Sequence, residues 1–301
     1  MAMSWKRKVN ATLEGITGYN LTRAERLARK PPPPPRVPRS ALLPPRMAGD
    51  EVRGPAEAAD RLIPGPVFVL SAVRSGSTLL RVMLNSHSQI HAPHEMHVRR
   101  ITVNLPTEPV QQAMRALGHT HSDVEHLVWD RMLHRELARS GKSILVEKTP
   151  SNVFAYRRLA ACWPEAKFIF LLRHPLSIAT SWHEADPEAR PMPEAVRHTY
   201  QYMKYLEEAM GELSGLRLTY EQLTGDPATH TKRICAFLGV DWEPGMLHYG
   251  DHTHGDFVKG IGDWRDKIRS GTVQPGRPLP AEDEIPPELI DVCRSWGYLS
   301  A

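Results

Sequence analysis

The chain has 301 residues, 41% of them hydrophobic, enough to bury the core of one large domain with a short appendage. A formal net charge of +4 falls short of the dense basic stripe of a nucleic-acid binder and suits an anionic small molecule. Cys162, Cys235 and Cys293 are odd in number and lack metal spacing, which argues against a disulfide framework and for a reducing compartment.

Residues 1–60 differ in texture from the rest. Trp5, Val9, Leu13 and Ile16 recur at helical spacing among the basic residues Lys6, Arg7, Lys8, Arg23, Arg26, Arg29 and Lys30. An unbroken proline run, Pro31 to Pro35, with Pro38, Pro44 and Pro45 after it, reads as a stiff polyproline II spacer. The expected organisation is an amphipathic helix and proline-rich linker over 1–60, then one main domain over 61–301. The helix has three open readings: packing on its own domain or a partner subunit, peripheral contact with a membrane surface, or disorder. No apolar run is long enough to span a bilayer, and the basic start lacks the apolar block of a secretory signal, so the expected location is cytoplasmic. Abundant Ala, Arg and Pro suggest a high-GC bacterial source.

From Leu62 strands and helices alternate. Val67 to Ala72 is a short apolar run before a Gly/Ser loop, the mark of a buried parallel strand. Ile144–Val146, Phe168–Leu172 and Leu216–Tyr220 are further strand candidates. Helical patterns cover Thr78–His87, Glu108–Leu117, Ser122–Arg139, Asn152–Cys162, Pro175–His183, Pro193–Leu213, Pro227–Leu238 and Glu288–Trp296. This alternation predicts an α/β fold, a P-loop-like parallel sheet flanked by helices on both faces.

The loop after the first strand is Arg74-Ser75-Gly76-Ser77-Thr78. Backbone amides at a helix start, with Ser and Thr hydroxyls, form a natural anion cradle. A nucleotide kinase would carry Gly-x-x-x-x-Gly-Lys followed by Ser or Thr. Here Ser71 stands in place of the first glycine and Ser77 in place of the lysine, which disfavours a metal-dependent phosphotransferase. The cation sits instead at Arg74.

Arg-Ser-Gly-Ser-Thr after a strand resembles the 5′-phosphosulfate loop of the sulfotransferases that use 3′-phosphoadenosine-5′-phosphosulfate (PAPS). Two further segments are similar to that family. Arg173, ending the Phe168–Leu172 run, with Ser181 eight residues later, looks like its 3′-phosphate site. Lys259-Gly260, before Gly262-Asp263-Trp264, resembles the loop that closes over the same phosphate, although no arginine precedes Lys259 and the spacing is one residue shorter. The resemblance spans about residues 64–271 and implies Arg74, Ser75, Gly76, Ser77, Thr78, Arg173, Ser181, Tyr220, Lys259 and Gly260 as contacts for PAPS and its product PAP. For Tyr220 a core or interface role is nearly as open.

An acceptor hydroxyl must lose its proton as it attacks, so a positioned base is expected. The stretch His91-Ala92-Pro93-His94-Glu95-Met96-His97 offers four candidates. Resemblance to tyrosylprotein and glycan-type members implies Glu95, whereas cytosolic members use a histidine, which keeps His94 and His97 open. Lys148 matches a family position beside the transferred group. Arg74 and Lys148 then share the charge that develops there. No metal is expected, because neither histidine cluster, 91–97 or 248–254, has the spacing of a ligand set. The expected partner is a hydroxyl-bearing metabolite, glycan or lipid, and no nucleic acid.

Overall fold

The computed structural model describes residues 61–254, 268 and 270–300. The expected N-terminal helix and proline run, Lys259, Gly260 and Gly262-Asp263-Trp264 lie outside the described residues.

Five parallel strands form one sheet: β1 (Val67–Ser71), β2 (Ile90–His91), β3 (Ile144–Glu147), β4 (Lys167–Leu172) and β5 (Gly215–Thr219), in the order β2-β3-β1-β4-β5. In β1 every residue is buried, because helices cover both faces of the sheet. The pleat sorts its residues between two cores. Phe68 and Leu70 join Leu145, Phe168 and Phe170 on one face, and Val67 and Val69 join Val146, Ile169 and Leu171 on the other.

The first face is covered by α3 (His121–Ser140), α4 (Tyr156–Cys162), α5 (Pro175–Glu184), α6 (Met192–Glu212) and α9 (Pro287–Ser295). The second is covered by α1 (Ser77–Asn85), α7 (Tyr220–Gly225) and α8 (Pro227–Leu238). The short helix α2 (Glu108–Ala116) buries none of its residues. Thus the α/β architecture expected from the strand–helix alternation is present, with β1 in the middle and a crossover on each side.

The element ends are set by local chemistry. Thr120 and Asp123 close a capping box at the start of α3, and Gly141 ends it in the left-handed region. The Lys142 ammonium donates to the carbonyls of Asn85, His87 and Ile90 at 2.8, 2.9 and 2.9 Å. It therefore satisfies chain-end carbonyls after α1 and ties that helix to the start of β3. At the domain's near edge, the amides of Leu62 and Ile63 donate to the buried Asp130 carboxylate, which also accepts from the Trp163 indole.

Candidate functional site

The C-terminal ends of β1, β3 and β4 point the same way, which is where ligands bind in open parallel sheets. After β1 the chain turns through Arg74 (φ 65°) and Gly76 (φ 82°) before α1 begins at Ser77. A left-handed arginine is strained, and such strain is held where the surrounding structure imposes it. The first turn of α1 has no acidic residue and no side-chain cap. Its amides therefore face the loop with no built-in anion, and the Ser75 hydroxyl is buried without a hydrogen-bond partner. This is a cradle suited to a phosphate or sulfate group.

Arg74, Arg173, Ser181 and Tyr220, far apart in sequence, meet beside this turn. The Arg74 Nε donates to the Ser181 hydroxyl at 3.2 Å, and Arg173 Nη1 donates to the Arg74 carbonyl at 2.7 Å. The Arg173 guanidinium lies 4.5 Å over the Tyr220 ring. That ring packs so closely on Gly76 that a Cβ there would sit 2.3 Å from Tyr220 Cδ2. Burial pulls the Arg173 pKa down, while Tyr220 and Glu221 push it back up. A half-buried guanidinium beside an uncapped helix start is organised for a multiply charged anion.

The apolar run Leu216–Tyr220 predicts a strand that ends at Tyr220. The structure instead opens α7 there, because Thr219 and Gln222 form a capping box in which each side chain accepts from the other's amide. Next to it, Glu221 accepts from the His174 amide and from the Tyr298 hydroxyl. The chain's last helix region is thereby tied to the residue after Arg173.

A second group assembles at the end of β3. Lys148 is 1% exposed and its ammonium donates to Glu95 Oε1 at 2.5 Å. The other carboxylate oxygen of Glu95 is 3.4 Å from His97 Nε2. Burial draws the Lys148 pKa down, and the neighbouring Glu95 charge opposes that shift. Burial also lowers His97, again against the pull of Glu95. His94 is exposed, and its ring Nδ1 meets the Glu95 backbone carbonyl at 3.1 Å.

Glu147 holds this loop in place. Its buried carboxylate accepts from the Met96 amide at 3.1 Å, from the Thr149 hydroxyl at 2.6 Å and from the Asn152 amide group. The His97 amide in turn donates to Thr149 Oγ1 at 3.1 Å. Burial raises the Glu147 pKa, and the Thr149 and Met96 donors and the Lys148 charge work against it.

Two cations at the site escaped sequence reasoning. Arg81 is 2% exposed on α1, and burial lowers its pKa to about 10 against the charge of Glu95. A lone charge in the run Leu79-Leu80-Arg81-Val82-Met83-Leu84 was the available signal. Arg277 pairs with Glu184 at 2.7 Å, beside Gly276, which packs near Tyr220. No motif marks it. Among the described residues, no group of three or more His, Cys, Asp or Glu could hold a metal ion. No helix among them is long and apolar enough to cross a membrane.

Comparison with known proteins bears on this site. Residues 66–244 match the sulfotransferase family. Protein-tyrosine sulfotransferase A of Caenorhabditis elegans is 23% identical over 197 residues, covering 61% of this chain and 52% of the relative. Nodulation protein NoeE of Sinorhizobium fredii is 34% identical over 125 residues, 38% of this chain and 30% of the relative. The chain thus spans about half or less of the length of these curated relatives. Among solved structures, the sulfotransferase domain from the curacin biosynthetic pathway aligns with a TM-score of 0.58 at 21% identity, covering 80% of this chain and 100% of that one. The sulfotransferase domain of the Synechococcus PCC 7002 olefin synthase gives 0.57 at 24%, covering 83% and 99%. At these identities the structural likeness is one of fold.

Proposed function

The chain belongs to the sulfotransferase family, and on that premise we propose that it moves a sulfuryl group from PAPS to a hydroxyl on a small metabolite, glycan or lipid. The single observation that carries the nucleotide half of this reading is the convergence of Arg74, Arg173, Ser181 and Tyr220 on the β1–α1 turn. One turn offers uncapped helix amides and a buried serine hydroxyl. Two guanidiniums stand beside it. Such a set fits a nucleotide with two separate anionic groups. Residues 61–301 constitute the transferase domain in this reading, and Lys259 with Gly260 complete the nucleotide contacts.

Bound PAPS supplies an activated sulfuryl group; the protein supplies the base, the charge and the alignment. Glu95 takes the proton of the acceptor hydroxyl as that oxygen bonds to sulfur, and the sulfur's bond to the bridging phosphate oxygen breaks in line. The electron pair of the broken bond stays on that oxygen, leaving PAP. Protonation of Glu95 removes the counter-charge of Lys148. The ammonium is then released to stabilise the oxygen that gains charge, together with Arg74. A sulfuryl group carries less charge than a phosphoryl group, so these cations and the loop amides suffice without a metal. His97, beside Glu95, orients the carboxylate.

The test offers isotopically labelled PAPS, and separately ATP, to the protein with a metabolite extract, in the presence and absence of EDTA. Label transfer from PAPS to a product detected by mass, undiminished by EDTA, is the expected result. Transfer from ATP alone would identify a phosphotransferase. Tight PAP binding with no transfer would mark a protein that binds the nucleotide without chemistry.

A further inference from the structure

Helix α1 presents Arg81 and Asn85 four residues apart, on one face. Both reach the same residue of the loop that carries Glu95. Arg81 Nη1 donates to the Ala92 carbonyl at 3.2 Å, and the Ala92 amide donates to Asn85 Oδ1 at 3.0 Å. Both also reach a segment far along the chain. Asn85 Nδ2 donates to the Thr253 carbonyl at 3.3 Å and to His254 Nδ1 at 3.1 Å, and Arg81 Nη1 meets the His254 carbonyl at 3.5 Å.

The donors and acceptors in this network allow one arrangement. Asn85 Oδ1 is committed to the Ala92 amide, so Nδ2 is the group facing His254. His254 Nδ1 must therefore accept, which places the ring proton on Nε2, where it donates to the Tyr249 carbonyl at 2.7 Å. Only a neutral imidazole satisfies both ends. A protonated ring would set an N–H against the Asn85 amide donor.

We propose that Arg81 and Asn85 are positioning residues, a clamp joining the Glu95 loop to the 249–254 segment, and that neutral His254 is its latch. The proposal rests on Glu95 as the base. Ala92 is three residues before Glu95, so the clamp sets where the carboxylate stands, while Glu147 and Thr149 hold the residues just after it. The groups around His254 favour the neutral ring. Burial is the largest cause that lowers the His254 pKa, and Arg81 on α1, His252 in its own segment and Lys142 just before β3 act in the same direction. The Tyr249 carbonyl, which accepts from Nε2, pulls the other way, and burial outweighs it. Acid protonates the latch and opens the clamp.

Hydrogen exchange read by mass spectrometry tests the clamp without any ligand. Asn85→Ala is the first variant, since it removes contacts to both segments from a partly exposed site. Corrected for intrinsic rates, exchange in peptides covering 91–97 and 249–254 is expected to rise together by at least about tenfold. The wild type taken from pH 7.5 to pH 5.5 is expected to show the same paired rise. His254→Gln, whose amide can serve both partners but cannot be protonated, is expected to lose that pH response. A rise confined to one segment, or a pH response retained in His254→Gln, overturns the clamp.

Its positioning role is read separately, as PAP release from PAPS with the metabolite extract present. Asn85→Ala and Arg81→Lys are expected to lower kcat about ten- to hundredfold while KM for PAPS and the affinity for PAP stay near the wild-type values. Unchanged kcat despite paired exchange overturns the positioning role. The base itself is examined by Glu95→Gln in the unaltered clamp. Full activity there refutes the reading of Glu95 while leaving the exchange result to judge the clamp.

Discussion

Replacing Glu95 by Gln keeps the size of the side chain and an oxygen for the Lys148 ammonium, now 2.5 Å away, but removes the ability to take a proton. Turnover of PAPS is expected to fall at least about a hundredfold, the usual cost of losing a general base. PAP affinity should hold in calorimetry, since the Arg74–Ser181 and Arg173–Tyr220 contacts belong to a different group of residues. His97→Asn should cost much less, because His97 stands beside the carboxylate at 3.4 Å without replacing it. An active Glu95→Gln with a dead His97→Asn would reverse the assignment. At this scale, residues with a motif were legible from sequence and residues with only a position were not. Arg74, Arg173 and Ser181 follow strand ends in recognisable order, and the structure brings them together. Arg81 has no motif, because a charge in an apolar helix ordinarily carries its head out to water. Its burial follows from the two loop carbonyls it meets, and those come from residues 11 and 173 positions away.

The turn from β1 into α1 makes a specific local demand. Gly76 has φ 82°, and a Cβ would press on the Tyr220 ring at 2.3 and 2.7 Å. Gly76→Ala should therefore cost about 1–3 kcal/mol from backbone strain alone, and should also displace the ring over which Arg173 is stacked. A fall of several degrees in melting temperature with at least a tenfold loss of PAP affinity is expected. Adding Tyr220→Ala should recover part of the stability, giving a double variant less damaged than the sum of the two. Additive losses would show that the ring does not limit the turn. Strands β1, β3 and β4 were legible because a parallel sheet covered on both faces writes unbroken apolar runs. Strand β2 was not, since its two residues, Ile90 and His91, carry no period at all. The start of α7 was readable in principle as Thr219-x-x-Gln222, but the apolar run before it extends naturally to Tyr220. The helix expected over Asn152–Cys162 begins as a 3-10 turn, Pro150–Ala155, before α4 takes over at Tyr156.

Among the described residues, the fold buries or half-buries histidines that it keeps neutral. His91, His126, His174 and His198 all have pKa values below 6.5, with burial the first cause in each. His198 is the furthest shifted, to about 4, with the positive charge of Arg190 adding to burial. Its ring stacks on Trp182 at 4.7 Å and 11°, and its Nδ1 is buried without a hydrogen-bond partner. Between the ordinary value of 6.5 and about 4 the unfolded chain holds a proton at this site that the folded chain refuses. The unfolded state thus binds more protons, and the free energy of unfolding falls as pH falls. The neutral histidine's contribution is complete above pH 6.5 and declines through the window down to about 4. For His198 alone the loss by pH 5 is about 2 kcal/mol. His198→Phe keeps a flat ring against Trp182 but has nothing to titrate. Melting temperatures measured at pH 7.5 and pH 5 should therefore fall several degrees further for the wild type than for this variant. An equal fall in both would assign the acid sensitivity to the other buried histidines and remove His198 from the account.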